Sequence, residues 1–188
     1  MSRWQPNARG RLEQAALELY TERGFDQTTV AEIAERAGLT ERTFFRHFRD
    51  KREVLFGGQE ALFELVTTHI AAAGDSASPI DAVGDALRAV GEMFEGRRDH
   101  ARRRQAVVDA NPGLRERELI KLASLAAAIA DALKRRGDAE PVAKLTAETA
   151  VAVFKVAFDR WISARKDEDL TRVIGDSLDE LKELTAGP

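Results

Sequence analysis

Apolar residues recur with helical spacing along most of the chain, whereas the alternating runs of β-branched residues that mark strands are missing. The clearest apolar stripes predict helices over residues 7–23, 79–95, 97–110, 114–136, 141–165 and 170–184. Three further patterns, two of them shorter, lie between the first two of these. We therefore expect an all-α protein with about nine helices.

The shorter patterns begin with capping residues. Thr29 and Glu32 have the capping-box spacing that starts a short helix, and Thr40 can cap a third helix over residues 41–48. The segment Gly38-Leu39-Thr40 joins these two helices. Two short helices with such a turn form a helix-turn-helix pattern, in which the second helix presents its outer face to the major groove of DNA.

A fourth helix is expected to begin at Asp50, because Asp50 and Glu53 repeat the capping-box spacing before a new apolar stripe. The head formed by the first helices then ends near residue 56. We expect two domains: a helix-turn-helix head over residues 1–56 and a larger helical domain over residues 57–188.

Charge singles out the third helix. The chain has a net charge of −3, yet residues 42–52 carry five cations and one carboxylate. Phe44 and Phe48, four residues apart, are expected to face the core of the head. Arg suits a bidentate contact with guanine, and Lys51 at a predicted helix N-terminus suits a phosphate. The expected DNA-binding residues are Thr29, Thr40, Glu41, Arg42, Thr43, Phe45, Arg46, His47 and Lys51. A run of charged residues on a helix can also be a face that contacts only solvent and binds no partner.

Composition argues against several other classes of protein. The chain has no Cys and three scattered His, so neither a metal site nor a cofactor is expected, and no catalytic set or phosphate-binding glycine loop stands out. We do not expect an enzyme. No apolar run approaches the roughly 20 residues that a membrane span needs, and the N-terminus lacks a secretory apolar segment. We expect a soluble, cytoplasmic protein.

The stretch TVAEIAERAGLTERTFFRHFRDKREVL resembles the DNA-binding head of the TetR (tetracycline-repressor) family, as do Phe25 after Gly24 and the pair Asp50-Lys51. The resemblance covers about residues 9–56. It implies a homodimeric regulator, usually a repressor, that binds a DNA operator and whose larger helical domain binds a small-molecule effector that lowers operator affinity. Two positions depart from the family pattern: Arg42 replaces a residue that is often small, and Phe45 replaces a usual Tyr. Phe45 lacks the hydroxyl that would donate a hydrogen bond to a phosphate.

Apolar residues on both sides of the helix over residues 141–165 indicate that it is buried on more than one face. One face can serve the subunit core and the other a partner helix, which favours a homodimer with a four-helix interface. The expected interface residues are Val153, Val156, Val173, Leu178 and Leu181. A monomer with a central helix is the alternative.

A second basic cluster lies in GRRDHARRRQ, residues 96–105, where a solvated or ion-paired face is the simpler interpretation. The segment ARRRQAVVDANPGLRERELIKLASLAAAIADAL resembles a TetR branch described as binding acyl-CoA-like ligands, over about residues 80–165. This implies a hydrophobic tunnel with cations for the phosphates. The candidate ligand-binding residues are Phe94, Arg98, Arg102, Phe154, Phe158 and Trp161, although aromatic residues at helical spacing are also typical of a plain core. The alternative is a helical, dimeric protein that binds a small molecule and does not bind DNA specifically.

Overall fold

The computed structural model describes residues 7–74, 76–164 and 168–186. Within them it contains nine α-helices and no strand, which confirms the all-α expectation. The helices are α1 Ala8–Arg23, α2 Val30–Arg36, α3 Glu41–His47, α4 Gln59–Ala72, α5 Pro79–Met93, α6 Arg98–Asp109, α7 Pro112–Arg136, α8 Glu140–Ser163 and α9 Leu170–Ala186. The predicted end of the eighth helix at Arg165 lies outside the described residues.

Capping residues begin several helices where the sequence predicts them. Thr29 and Glu32 form a complete capping box at α2, and the Thr40 side chain accepts a hydrogen bond from the backbone N–H of Thr43 at α3. Ser78 accepts from the backbone N–H of Asp81 ahead of Pro79, the first residue of α5. These caps satisfy backbone donors that would otherwise lack partners at a helix start.

The fourth helix does not begin at Asp50. The Asp50 carboxylate accepts hydrogen bonds from the backbone N–H groups of Arg52 and Glu53, but the turn that follows is a 3-10 turn over Glu53–Phe56. Gly58 then has a φ of +83°, a left-handed conformation that glycine adopts without strain. Asp50 thus accepts a hydrogen bond from the backbone N–H of Glu53 as predicted, but it precedes a 3-10 turn, and α4 begins after the two glycines, at Gln59.

The described residues form two compact units. The first contains the residues up to Gly58 together with Arg103–Glu118, and the second contains Gln59–Arg102 and the residues from Leu119 onward. The division after Gly58 is close to the expected one after residue 56. The placement of Arg103–Glu118 in the first unit differs from the expectation, which put this segment in the C-terminal domain. Its apolar residues Val107, Val108 and Leu114 instead pack in the core of the first unit.

In the second unit, α5 packs against α9 closely enough to exclude a side chain. A Cβ added to Gly91 would lie 2.7 Å from the backbone N and Cα of Thr171, closer than such atoms approach. The core of this unit is built from apolar residues of α4, α5, α7, α8 and α9. One face of α9 is therefore covered within the same chain.

Burial within the chain corrects the expected dimer interface. Val153, Val173 and Leu178 are buried in the core of the second unit, and Leu181 is half-buried against it. Of the five expected interface residues, Val156 is exposed, at 48%. The apolar pattern of α9 marks its packing on α5 and α8, because a stripe shows that a face is buried but does not show against what.

None of the described helices combines the length and the apolar character that would let it cross a lipid bilayer.

Candidate nucleic-acid interface

The turn between α2 and α3 is fixed by backbone hydrogen bonds. Gly38 has a φ of +64°, and its N–H donates to the carbonyl of Glu35 at 2.9 Å. The N–H of Leu39 donates to the carbonyl of Ala34 at 2.8 Å. A left-handed glycine with such bonds is a common way to end a helix. The next residue, Thr40, caps α3, so the chain changes direction over three residues.

Helix α3 has one buried side and one exposed side. Phe44 is fully buried and Phe48 is 5% exposed, so both face the core of the first unit as the sequence predicts. Glu41, Arg42, Phe45 and Arg46 are exposed, whereas Thr43 and His47 are half-buried. The exposed face therefore presents two guanidinium groups, one carboxylate and one aromatic ring.

Three cations at this face remain available for a partner. Arg42, Arg46 and Arg49 make no ion pair or hydrogen bond with any other residue in the described ranges. In contrast, Arg36 pairs with Glu22 at 3.0 Å, and its hydrogen bond to Glu22 lowers the pKa of that carboxyl. The positive charges of Arg42, Arg46 and Arg49 are thus not neutralised locally, unlike that of Arg36 on α2.

Two of the three threonines expected at the interface, Thr29 and Thr40, are exposed and serve as caps. The Thr29 hydroxyl donates to Glu32 Oε2 at 2.9 Å, and the backbone N–H of Thr29 donates to the same oxygen. These bonds lower the pKa of Glu32. The Thr40 and Thr43 hydroxyls lie 3.1 Å apart. Thr29 and Thr40 are therefore held in fixed positions at the starts of α2 and α3.

Lys51 has a different role from the phosphate contact that the sequence suggests. Its Nζ donates to the carbonyls of Phe25 at 2.9 Å, Asp26 at 3.3 Å and Thr28 at 3.0 Å. An ammonium group has three N–H donors, and these three carbonyls use all of them. Nζ also lies 4.4 Å from the centroid of the Phe25 ring. The donors of Lys51 are thus used within the protein in this structure, and its phosphate contact stays a prediction.

The backbone of Lys51 is also held in place. The hydroxyl of Tyr20 donates to the Lys51 carbonyl at 2.6 Å, and burial, with a smaller effect from the charge of Asp50, raises the pKa of Tyr20. Burial alone would raise the pKa of Asp50 as well, but hydrogen bonds from the Arg52 side chain and from backbone N–H groups outweigh it and lower that pKa. Lys51 therefore ties the loop between α1 and α2 to the chain after α3.

The segment Arg103–Glu118 contributes polar contacts to this unit that sequence reasoning did not identify. Arg104 donates to the Leu55 carbonyl at 2.9 Å and to Glu118 at 2.8 Å, with its guanidinium 4.9 Å from the Phe56 ring centroid. Arg117 pairs with Glu53. Both contacts hold the 3-10 turn. The sequence showed Arg104 only as one member of a basic run, and nothing in its spacing distinguished it from its neighbours.

The second unit brings the expected ligand-binding residues together. Four aromatic rings form a chain of contacts, with centroids 5.7 Å apart for Phe94 and Phe158 and for Phe158 and Trp161, and 5.8 Å apart for Phe154 and Phe158. Of these residues, Trp161 is buried and the other three are half-buried. The rings thus form a continuous apolar cluster along α8.

The two arginines expected beside these rings cap the end of α8. Arg98 donates to the carbonyls of Trp161 at 2.8 Å and of Ala164, and Arg102 donates to the carbonyl of Ile162 at 2.8 Å. Cations and donors at a helix C-terminus satisfy its last carbonyls and favour its dipole. The Arg102 side chain is nevertheless 49% exposed, so part of its guanidinium still faces solvent.

The fold and the α2–α3 geometry define a helix-turn-helix unit followed by a helical domain. The model for bacterial regulatory proteins of the tetR family matches residues 13–65, and the model for the MftR C-terminal domain matches residues 77–186. The chain belongs to the TetR family. The resemblance stated from the sequence is therefore confirmed.

Individual relatives agree with this assignment. The chain is 40% identical over 91 residues to the HTH-type transcriptional regulator TcmR of Streptomyces glaucescens, a match that covers 47% of this chain and only 39% of TcmR. It is 27% identical over 180 residues to MftR of Mycobacterium tuberculosis, covering 89% of this chain and 86% of MftR. The crystal structure of Thermus thermophilus FadR in complex with lauroyl-CoA has a TM-score of 0.59 at 24% identity, over 96% of both chains, which supports the fold.

Replacement of Lys51 by Met should destabilise the protein, because three backbone carbonyls lose their donor. We expect a loss of about 1–3 kcal/mol in the free energy of unfolding, measured by urea denaturation. Arg49→Ala serves as the control, since Arg49 has no partner within the described ranges and its loss should leave that free energy unchanged. Equal stability of the Lys51 variant and the wild type would contradict the assigned role.

Proposed function

We propose that the protein is a DNA-binding transcriptional regulator that binds a two-fold symmetric operator as a homodimer and is released from it by an amphipathic ligand. The observation that carries this proposal is the outer face of α3, where Arg42, Phe45 and Arg46 are exposed while Phe44 fixes the helix from within. A recognition helix in a helix-turn-helix unit meets base edges with such a face.

Each exposed polar group on α3 suits a particular partner on DNA. Arg42 and Arg46 are candidates for bidentate contacts with guanine, and the Glu41 carboxylate can accept from the amino group of cytosine. Arg49 lies just beyond the helix and suits a phosphate. Thr29 and Thr40 lie at the starts of the two helices, where contacts to the DNA backbone position the unit. Lys51 supports this surface from inside the protein.

A dimer would place two α3 helices on half-sites about 34 Å apart, one turn of DNA. The proposed interface is a largely apolar stripe on the exposed face of α8. Val142 and Leu145 are 47% and 71% exposed, and Val156 continues the same face. The half-buried Thr149 and the exposed Ala152 lie between them, and the five residues follow a three-four spacing, which is the pattern of a helix that packs against another helix. The stripe keeps Val156 from the residues first expected at the interface and replaces the other four, which are buried or half-buried within the subunit.

The proposed ligand is an acyl-CoA or a similar molecule with an apolar chain and an anionic head. The aromatic chain from Phe94 to Trp161 offers an apolar surface, and Arg102 offers a partly exposed guanidinium at its end. The complex of FadR with lauroyl-CoA supports this class of ligand. By linkage, a ligand that lowers the affinity for DNA must itself bind more weakly to the DNA-bound protein, by the same factor.

Replacement of Arg46 by Ala tests the DNA interface. A lost contact to guanine should weaken binding by about 1–3 kcal/mol per half-site and relax the preference for guanine. Loss of Arg49 should instead reduce the slope of log affinity against log salt by about 0.9 for each phosphate contact. Fluorescence anisotropy on a duplex obtained by random-sequence selection, over a range of salt concentrations, measures both effects.

The control for these variants is Arg172→Ala, which removes the same charge from an exposed position on α9. It should change neither the affinity nor the salt slope. Unchanged DNA affinity in the Arg46 variant would remove that residue from the interface, and a wild-type protein that selects no sequence would overturn the proposed function.

Replacement of Leu145 by Lys tests the dimer. A charge in the middle of the α8 stripe should disrupt the association of two copies, and sedimentation velocity should then show a monomer. Since Leu145 is 71% exposed within the chain, its loss should leave the fold of each subunit intact by circular dichroism. Leu184→Lys is the matched control, because Leu184 is 83% exposed but lies outside the stripe. A Leu145 variant that remains dimeric would exclude this face.

Replacement of Arg102 by Gln tests the anionic end of the ligand. If Arg102 binds a phosphate, the variant should lose about tenfold in affinity for a long-chain acyl-CoA, as expected for a hydrogen bond to a charged group. It should bind the matching acyl-pantetheine, which lacks the phosphates, as the wild type does. Isothermal titration calorimetry gives the ratio of the two affinities. If the substitution only destabilises the end of α8, it should weaken the binding of both ligands equally and leave the ratio of their affinities unchanged.

A further inference from the structure

Phe45 is a prominent side chain on the exposed face of α3. Its side chain is large and apolar, and it is 56% exposed. Among the described residues of the first unit, it is the one large apolar side chain in the exposed class. Single exposed apolar residues are common on protein surfaces, so exposure alone does not indicate a role.

The ring of Phe45 is also held in place. It packs edge-on against the ring of Phe44, with centroids 5.4 Å apart and planes at 81°, which is a favourable arrangement for two aromatic rings. Phe44 is fully buried, so the ring that supports Phe45 is itself fixed. An exposed side chain held in this way loses little conformational freedom when it meets a partner.

The neighbours of Phe45 identify the kind of surface in which it lies. Residues three and four positions apart share a helix face, which places Glu41 and Arg42 beside Phe45, while Arg49 follows two residues after the end of α3. The unpaired guanidinium groups of this face favour phosphates and guanine. The Phe45 side chain has no polar atom to offer to a phosphate or to guanine. Its contribution to DNA binding must therefore come from contact with an apolar group.

Only one apolar group projects from the base edges into the major groove, and that is the C5-methyl group of thymine. We propose that Phe45 reads a thymine in each half-site by contact with this methyl group. This inference rests on the proposed function, since it concerns the same DNA interface. Phe at this position would thereby specify one base. A Tyr whose hydroxyl bonds to a phosphate would specify no base through that bond.

The competing contact for an exposed aromatic ring is the deoxyribose of the DNA backbone. Such a contact would add affinity but would not depend on the base. The two contacts respond differently to deoxyuridine, which lacks the methyl group of thymine and retains its hydrogen-bonding edge. Substitution of thymine by deoxyuridine therefore separates them without a change in base pairing.

The experiment begins with random-sequence selection on the full-length wild-type protein to obtain the operator. Each thymine of a half-site is then replaced in turn by deoxyuridine, in both half-sites at once, and binding is measured by fluorescence anisotropy. Replacement of thymine by deoxyuridine at one position should weaken binding about fourfold for each methyl group removed. This is the value expected when one carbon of that size is no longer buried. The other thymines should show no penalty.

The same series on Phe45→Ala completes the test. The penalty at that one position should vanish in this variant, whereas Phe45→Tyr, which keeps the ring, should retain it. Arg46→Ala is the control within the same helix: it should bind more weakly overall and still show the full methyl penalty. Circular dichroism should show the Phe45 variants folded, because the replaced side chain is exposed.

The outcomes separate the two proposals. If selection yields a defined operator that binds equally well with deoxyuridine at every thymine, the proposed DNA-binding function stands. The proposed contact between Phe45 and a thymine methyl group is then overturned. An equal penalty in the wild type and in Phe45→Ala would overturn it as well, because another residue would then contact the methyl group. Failure to select any sequence would overturn the DNA-binding function and the inference together.

Discussion

The burial of Phe44 is the constraint on which the DNA-binding surface depends. A helix of seven residues, such as α3, is not stable by itself in water, because helix formation has a costly nucleus. Phe44 and Phe48 supply the tertiary contact that keeps α3 helical, and their position decides which residues face outward. Every contact proposed for Arg42, Phe45 and Arg46 therefore follows from an apolar packing interaction on the opposite side of the same helix.

The polar contacts of the first unit extend this support beyond α3. Lys51 binds three carbonyls of the loop between α1 and α2, while Arg104 and Arg117 hold the 3-10 turn. Each of these cations pairs with groups far away in the sequence, and none of them projects from the recognition face. Lys51, Arg104 and Arg117 thus stabilise the fold, whereas Arg42, Arg46 and Arg49 have no partner among the described residues.

Local signals explain what the sequence could predict. The caps at Thr29, Thr40 and Ser78 and the two faces of α3 depend on residues within one helical turn, so their spacing was sufficient. The carbonyls that Lys51 and Arg104 bind lie 23 or more residues away, and no local spacing indicates which carbonyl a cation will bind. For the same reason an apolar stripe on α9 could not show whether it packs inside the subunit or against a second copy.

The arginine caps at the end of α8 have a consequence for the local stability of the second unit. Because Arg98 and Arg102 bond to the last carbonyls of α8, the final turn of α8 and the first turn of α6 are expected to open together, as one cooperative segment. Trp161, whose Nε1 donates to the Glu168 carbonyl, belongs to the same segment. Any molecule that competes for these guanidinium groups would change how often this segment unfolds, even if the average positions of its atoms did not move.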